Sequence, residues 1–141
     1  LQSGEIQFHP HNFRNIGYQH QDCHLIDHWT LKENLALVSQ DLDAQNLWLK
    51  KMGLSMSLSS LVSSLSGGER QRISLIKLFL QKPDLALLDE PTAHLDDEHT
   101  QIVMDCIRSE LAGKTVILVS HDQRIQSCAH VVLNWRKEIF L

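Results

Sequence analysis

Three continuous apolar runs constrain the fold of this 141-residue chain more than any other feature. The runs are Leu85-Ala86-Leu87-Leu88, Val116-Ile117-Leu118-Val119 and Val131-Val132-Leu133. Apolar runs without polar alternation are typical of strands that are covered on both faces, as in a parallel α/β sheet. A helical pattern from about Asp97 to Leu111 separates the first two runs, so we expect a strand-helix-strand core. Two further strands are predicted near the start, at residues 5–8 and 16–18.

The stretch from about Cys23 to Lys82 has a helical pattern. Thr30 and Glu33 have the spacing of a capping box, which marks the start of a helix. Two more helices are predicted, from Ala44 to Met52 and from Glu69 to Gln81. A serine-rich loop at residues 55–66 is expected before the last of these helices. The helical stretch is therefore an insertion between two strands of the core.

The composition excludes several classes of protein. The formal net charge is −4 and no basic stripe is present, so a nucleic-acid partner is not expected. The apolar runs are far shorter than the roughly 18 residues that a membrane span needs, and no signal peptide opens the chain. The cysteines at 23, 106 and 128 are odd in number and far apart, which does not indicate a disulfide framework. We therefore expect a reducing, cytoplasmic environment.

Two adjacent carboxylates, Asp89 and Glu90, follow the first apolar run. Ligand sites in open parallel sheets lie at the carboxyl ends of the strands. Asp89 can hold Mg²⁺ there, directly or through water, and Glu90 can orient or deprotonate an attacking water. An acidic pair can also be a simple helix cap in a turn. The Pro91-Thr92 that follows and the glycine turn upstream favour the catalytic interpretation.

That upstream turn is Ser66-Gly67-Gly68, at the start of a predicted helix. Glycines let a backbone approach a phosphate closely, and the amides at a helix start face the anion. Taken alone, the same three residues predict only a flexible turn. Arg70 and Arg72, which follow in the same string, strengthen the phosphate interpretation.

Five motifs resemble those of the nucleotide-binding domain of an ABC ATPase, and they occur in the order that this family has. Leu65–Glu69 resembles the LSGGQ signature with Glu69 in place of Gln, Leu85–Glu90 the Walker B strand, Ala93–Asp96 the D-loop, His121 the switch histidine, and Ile16–Gln21 the strand into the Q-loop. The resemblance implies a P-loop NTPase-like α/β fold with a parallel sheet and an inserted helical subdomain. On this basis the α/β core comprises residues 1–22 and 83–141, and the helical subdomain comprises residues 23–82.

The resemblance also implies a role for each motif residue, with ATP and Mg²⁺ as ligands. Asp89 and Gln21 would bind the metal, Glu90 would be the catalytic base, and Gln21 and His121 would sense the γ-phosphate. Ser66, Gly67, Gly68 and Glu69 would reach the nucleotide held by a second nucleotide-binding domain, and Asp96 would couple the two halves of that dimer. The helical subdomain would dock on a transmembrane permease subunit, which places the protein at the inner face of the cell membrane.

The chain departs from the family because no G-x-x-x-x-G-K-[ST] loop is present. Gly113-Lys114-Thr115 resembles the end of such a loop, but residue 108 is Arg and a strand follows, so we expect a helix-to-strand turn. The first six residues resemble the segment that follows the P-loop helix in this family. We therefore expect a truncated domain that binds ATP weakly or not at all by itself, and that exposes apolar sheet faces and open strand edges.

Three functions are compatible with these motifs. The first is an ATPase subunit of an ABC transporter, which the residues around Gln21 to Leu37 favour. The second is a soluble ABC ATPase of the translation-factor type. The third is a degenerate, non-catalytic cassette that donates its signature motif to a complete partner. A metal site at His20, His24 and His28 is less favoured, because these residues lie in a predicted loop where their spacing has no helical meaning. The transported substrate and the direction of transport are not encoded in these motifs.

Overall fold

A computed structural model describes residues 13–126 of the chain. The elements in chain order are β1 Ile16–Gln19, α1 Leu31–Ala36, α2 Leu42–Lys51, a 3₁₀ turn at Val62–Ser64, α3 Gly67–Gln81, β2 Leu85–Asp89, α4 Asp97–Glu110, β3 Thr115–Val119 and α5 Gln123–Gln126. The strands predicted at residues 5–8 and 131–133, and Cys128, lie outside the described residues.

The three described strands form one parallel sheet in the order β1-β2-β3. Gln19 at the end of β1 pairs with Leu88, and Asp89 at the end of β2 pairs with Val119. The carboxyl ends of all three strands therefore lie at one edge of the sheet. The predicted α/β fold with a parallel sheet is confirmed, and so is the helical insertion between β1 and β2.

Local capping explains where the helices start and end. The predicted capping box at α1 is present: the Glu33 amide donates to Thr30 Oγ1 at 3.2 Å, and the Thr30 amide donates to Glu33 Oε2 at 2.7 Å. Helix α3 begins two residues earlier than predicted, at Gly67, because Ser66 caps it. It ends at Gln81, where Lys82 adopts a left-handed conformation with φ of +50° just before Pro83.

Helix α3 is the centre of the core and covers one face of the sheet. Ile73, Leu75, Ile76 and Leu78 on this helix are each at most 1% exposed. Gly17 of β1 allows the helix to come close, because a Cβ at that position would lie 3.0 Å from Pro83 Cβ and 3.3 Å from Leu78 Cδ1. The same core cluster includes Ala86 and Leu88 of β2. A single helix thus joins the inserted helices to the sheet.

The opposite face of the sheet is exposed on β1 and β3, although Leu85 of the central strand β2 is only 1% exposed on that face. Four large apolar side chains there are more than half exposed: Ile16 at 55%, Tyr18 at 53%, Ile117 at 51% and Val119 at 58%. The expectation that β3 is covered on both faces is therefore wrong within residues 13–126. A continuous apolar run shows only that the strand lacks polar residues, and helices pack on one side of it here.

None of the helices in the described part of the chain has both the length and the apolar content needed to cross a membrane. The longest, α3, has 15 residues. Helix α4 ends at Glu110 and β3 begins at Thr115, so Gly113 and Lys114 lie in a helix-to-strand turn, as predicted. Gly113 has a φ of +73°, which suits glycine in such a turn.

Candidate functional site

Three connections meet at the carboxyl edge of the sheet, one after each strand. The turn at residues 21–24 follows β1 and contains Gln21, the loop at residues 90–96 follows β2, and residues 120–122 follow β3. Parallel strands place such connections side by side, which is where α/β proteins bind ligands. The described structure thus brings Gln21, Glu90 and His121 to one edge of the sheet.

Glu90 lies at the junction of β2 and β3. Its amide donates to the Val119 carbonyl at 2.9 Å, and its carboxylate accepts hydrogen bonds from the His121 amide at 3.0 Å and from Ser120 Oγ at 3.2 Å. The His121 side chain is 99% exposed, and its Nε2 lies 3.4 Å from Glu90 Oε1. The hydrogen bonds from Ser120 and the His121 amide occupy only part of the acceptor capacity of the carboxylate, so it can still accept a proton from water.

The backbone of Glu90 is in the left-handed region, with φ of +48°. Residues that carry a Cβ rarely adopt this conformation, and such strain persists only where surrounding contacts hold it. Cys23, His24 and His94, in the neighbouring connections, also have positive φ values. The strained residues of the described chain are therefore concentrated at this edge, with Lys82 at the end of α3 as the exception.

Asp89 differs from Glu90 in having a free carboxylate. It is partly buried at the end of β2, and it makes no side-chain hydrogen bond to another residue of the range 13–126. No group of three or more His, Cys, Asp or Glu side chains in that range could hold a metal, and this includes His20, His24 and His28. A carboxylate that these residues leave without a hydrogen bond suits Mg²⁺, which keeps several water ligands and completes its shell with substrate phosphates.

The signature turn is closed by its own capping box. Glu69 Oε2 accepts hydrogen bonds from the Ser66 amide and from Ser66 Oγ, both at 2.8 Å, and the Glu69 amide donates to Ser66 Oγ at 3.3 Å. The Ser66 amide, followed by the hydroxyl, holds the pKa of the Glu69 carboxyl below its usual value. The glutamate that replaces the family's glutamine therefore brings a negative charge onto Ser66.

The two glycines of the turn differ in their surroundings. Gly67 is exposed and Gly68 is partly buried, and their amides have no hydrogen-bond partner within the described range. A Cβ on Gly68 would lie only 2.8 Å from the His94 carbonyl oxygen, whereas the nearest atoms to a Cβ on Gly67 are at 3.7 Å. Gly68 therefore lets α3 pack against residues 93–96, a role that the sequence did not indicate.

Asp96 caps helix α4. Its Oδ1 accepts a hydrogen bond from the His99 amide at 2.8 Å and lies 2.7 Å from His99 Nδ1. The His99 amide is the main reason that the pKa of the Asp96 carboxyl is lowered. Its side chain is still 65% exposed, so the capping contact leaves one side of it open to solvent.

Sequence reasoning missed Gln71, which is fully buried in α3. Its Nε2 donates to the Glu90 carbonyl at 2.8 Å, and its Oε1 lies 3.0 Å from Cys23 Sγ. The signal was its position: Gln71 occupies the same helix stripe as the buried Leu75 and Leu78. A polar residue in a buried stripe needs partners, and here the partners belong to the site.

Asn34 was also missed, although it fixes the loop that follows the turn at residues 21–24. It is fully buried in α1. Its Oδ1 accepts from the Ile26 amide at 2.8 Å, and its Nδ2 donates to the Ile26 carbonyl at 3.1 Å. This two-point contact holds residues 25–30 against α1. The only sequence signal is again a polar residue next to buried apolar ones, here Leu31 and Leu35.

The chain resembles curated proteins and a family model. The model described as ABC transporter matches residues 1–93. The hemin import ATP-binding protein HrtA of Staphylococcus haemolyticus, so named with the qualifier "putative", is 31% identical over 143 residues, with 94% of this chain and 65% of the relative covered. HrtA of Staphylococcus aureus strain Newman is 32% identical over 139 residues, covering 90% and 63%. The chain thus spans somewhat less than two thirds of the length of these relatives.

Solved structures resemble the fold as well. A dimeric post-hydrolysis state of the ATP-binding cassette MJ0796 bound to ADP and Pi has a TM-score of 0.66 and 28% identity, covering 79% of this chain and 54% of that chain. The archaeal ribosome recycling factor aABCE1, in complex with ribosomal stalk protein aP1, has a TM-score of 0.67 and 28% identity, covering 87% and 24%. Because the family model spans more than half of the sequence, this chain belongs to the ABC transporter family.

Proposed function

We propose that this chain carries part of the ATP-hydrolysing machinery of an ABC transporter subunit. The main support is the carboxyl edge of the sheet, where Glu90 is held between β2 and β3 while Asp89 beside it keeps a free carboxylate. Relatives named as hemin import ATP-binding proteins support the transport assignment. ATP is the proposed substrate and Mg²⁺ the proposed cofactor.

In the proposed reaction, the residues of this edge position a water molecule against the γ-phosphate. Glu90 orients this water and accepts its proton, with its carboxylate held by Ser120 and the His121 amide. The exposed His121 imidazole contacts the γ-phosphate. Asp89 and Gln21 would hold Mg²⁺, which neutralises phosphate charge when bound. The remaining catalysis is positioning and electrostatic stabilisation.

The second half of the proposed site comes from another nucleotide-binding domain. The exposed signature turn, with the free amides of Gly67 and Gly68 and with Ser66 and Glu69 beside them, would face the nucleotide bound by that partner. Asp96 ends the segment at residues 93–96 that packs against Gly68, and it would couple the two halves. The MJ0796 relative is a dimer bound to ADP and Pi, which supports this arrangement.

The helical subdomain, residues 23–82, would dock on a transmembrane permease subunit. This assignment would place the protein in the cytoplasm, at the inner face of the membrane. The names of the HrtA relatives support an import complex, since an ATP-binding subunit of such a complex acts with a membrane partner.

The test of this function is hydrolysis of ATP by the full-length protein. We expect Glu90→Gln to lower kcat by about 10²–10⁴-fold, because the variant cannot accept a proton from water. Glu98→Gln changes an exposed residue of α4 and should match the wild type. An unaltered kcat for Glu90→Gln, or a wild type without ATPase activity, would contradict the assignment.

The 141-residue chain by itself should bind ATP weakly and not hydrolyse it. A P-loop supplies the lysine and the backbone amides that grip the β- and γ-phosphates, and no such motif occurs in this sequence. Titration of a fluorescent ATP analogue in the presence of Mg²⁺ measures this directly. Saturation in the micromolar range would refute the expectation.

Two other functions remain in the proposal as alternatives. A soluble translation-factor role is supported by the similarity to the archaeal ribosome recycling factor, and sedimentation of the protein with ribosomes rather than membranes would favour it. A degenerate cassette that only donates its signature turn is supported by the missing P-loop motif. ATPase activity that appears only after mixing with a complete cassette would favour this last role.

A further inference from the structure

The side chain of Gln71 contacts both the turn at residues 21–24 and the loop at residues 90–96, which follow β1 and β2 at the carboxyl edge of the sheet. It is fully buried in α3, donates through Nε2 to the Glu90 carbonyl at 2.8 Å, and lies with Oε1 3.0 Å from the Cys23 thiol. We propose that Gln71 is a positioning residue, which holds Glu90 in its left-handed conformation and couples it to the turn that contains Gln21. This inference rests on the proposed ATPase function.

The orientation of the Gln71 amide follows from its partners. The Glu90 carbonyl can only accept a hydrogen bond, so the NH₂ group of Gln71 must face it. Its Oε1 therefore faces Cys23, whose thiol must be the donor. The Cys23 thiol thus donates to Gln71, and Gln71 in turn donates to the Glu90 carbonyl.

Glu90 is fixed on both of its peptide groups. Its amide donates to the Val119 carbonyl at 2.9 Å, and its carbonyl accepts from the Ala93 amide at 3.0 Å as well as from Gln71. Loss of the Gln71 contact would leave a partly buried carbonyl with one partner fewer, beside a backbone with φ of +48°. Relaxation of that φ would rotate the carboxylate away from Ser120 and the His121 amide.

The other end of the bridge lies in the turn at residues 21–24. Cys23 and His24 both have positive φ values, +62° and +41°, so this turn is held in shape by its contacts. Cys23 is two residues from Gln21, the proposed metal and γ-phosphate contact. A movement of this turn would therefore be transmitted to Glu90 through the two hydrogen bonds of the buried Gln71 side chain. A movement of Glu90 would be transmitted to the turn in the same way.

The test compares two buried glutamines in the full-length protein, in its ATPase-active assembly. Gln71→Met keeps the length of the side chain but removes both hydrogen bonds. Gln45→Met is the matched control, because Gln45 is also fully buried but donates to the Ser39 carbonyl, away from the site. We expect kcat to fall about 10–100-fold in Gln71→Met with KM for ATP within about twofold, and kcat to stay unchanged in Gln45→Met.

A second readout does not depend on catalysis. Hydrogen–deuterium exchange of residues 86–96 should increase in Gln71→Met and remain unchanged in Gln45→Met. If the wild-type assembly has no ATPase activity, the proposed function fails, but the exchange comparison still decides whether Gln71 holds Glu90. Equal kcat values in the two variants, or unchanged exchange of residues 86–96 in Gln71→Met, would overturn the proposal.

A conservative pair of variants keeps the test valid if Gln71→Met does not fold. Cys23→Ser retains a hydroxyl donor for Gln71 Oε1, whereas Cys23→Ala removes the donor. We expect Cys23→Ser to keep kcat and the exchange of residues 86–96 close to wild type, and Cys23→Ala to lower kcat and increase that exchange. Identical behaviour of the two cysteine variants would show that the thiol does not act through Gln71.

Discussion

The two faces of the described sheet contain similar apolar residues but differ in what packs against them. On one face, Gly17, Ala86 and Leu88 lie in the core with α3. On the other face, Tyr18 and Ile117 are each about half exposed. The comparison shows that α3 decides which face of β1 and β3 is buried, whereas Leu85 of the central strand β2 is buried on the other face as well.

The largest expected effect is a difference in stability between a variant at a buried residue of the sheet and a variant at an exposed one. Leu88→Ala should lower the free energy of unfolding by about 2–5 kcal/mol, because Leu88 is 2% exposed and its removal leaves a cavity under α3. Ile117→Ala, on the face where Ile117 is 51% exposed, should cost under about 1 kcal/mol. Urea denaturation of both variants measures the difference, and equal costs would mean that both faces are covered in solution.

A smaller effect is expected where α3 begins. Gly68→Ala should destabilise the protein by about 1–3 kcal/mol, because its Cβ would lie 2.8 Å from the backbone oxygen of His94 and a backbone atom cannot move aside cheaply. Gly67→Ala meets only ordinary contacts at 3.7 Å, and alanine favours a helix, so this variant should be neutral or slightly stabilising. The same cost for both variants in thermal unfolding would contradict the close contact between α3 and residues 93–96.

The smallest effect concerns pH and the capping box of α3. The pKa of Glu69 is lowered in the folded protein, mainly by the Ser66 amide, so its contribution to stability is complete above the usual value of 4.5 and is lost as the pH falls through the folded pKa. Glu69→Gln should therefore show a weaker loss of stability than the wild type below pH 4.5. Melting temperatures between about pH 6 and pH 3 would test this, with the exposed Glu98→Gln as control. A wild-type and a Glu69→Gln curve with the same slope would exclude a role for the cap.

Much of the fold could be predicted from local patterns. The apolar runs predict β2 and β3, and the Thr30–Glu33 spacing predicts the start of α1, because these features depend on neighbouring residues only. Ser66 and Glu69 have the same spacing, and their capping box starts α3 at Gly67, two residues before the predicted start. The glycine pair between them favours a flexible turn by local pattern, so the start of this helix is harder to predict.

The site could be predicted only in part, since its residues are joined across the fold. The sequence indicates Asp89, Glu90 and His121, but it does not indicate that Glu90 has a positive φ or that Gln71 holds its carbonyl. Those contacts link residues 23, 71 and 90, which are far apart in the chain. The exposure of one sheet face was likewise beyond local patterns, because it depends on which side of the strands α3 takes.

The parallel pairing of β1 with β2 has a consequence for how the chain folds. Residues 20–84 separate the two strands, so β1 leaves the ribosome long before its hydrogen-bonding neighbour exists. Closing so long a loop costs conformational entropy before the hydrogen bonds between the strands can form, and this cost slows folding. Until β2 is synthesised, the backbone groups on the β2 side of β1 are open to other nascent chains, so this part of the protein depends on timely completion of the helices between the two strands.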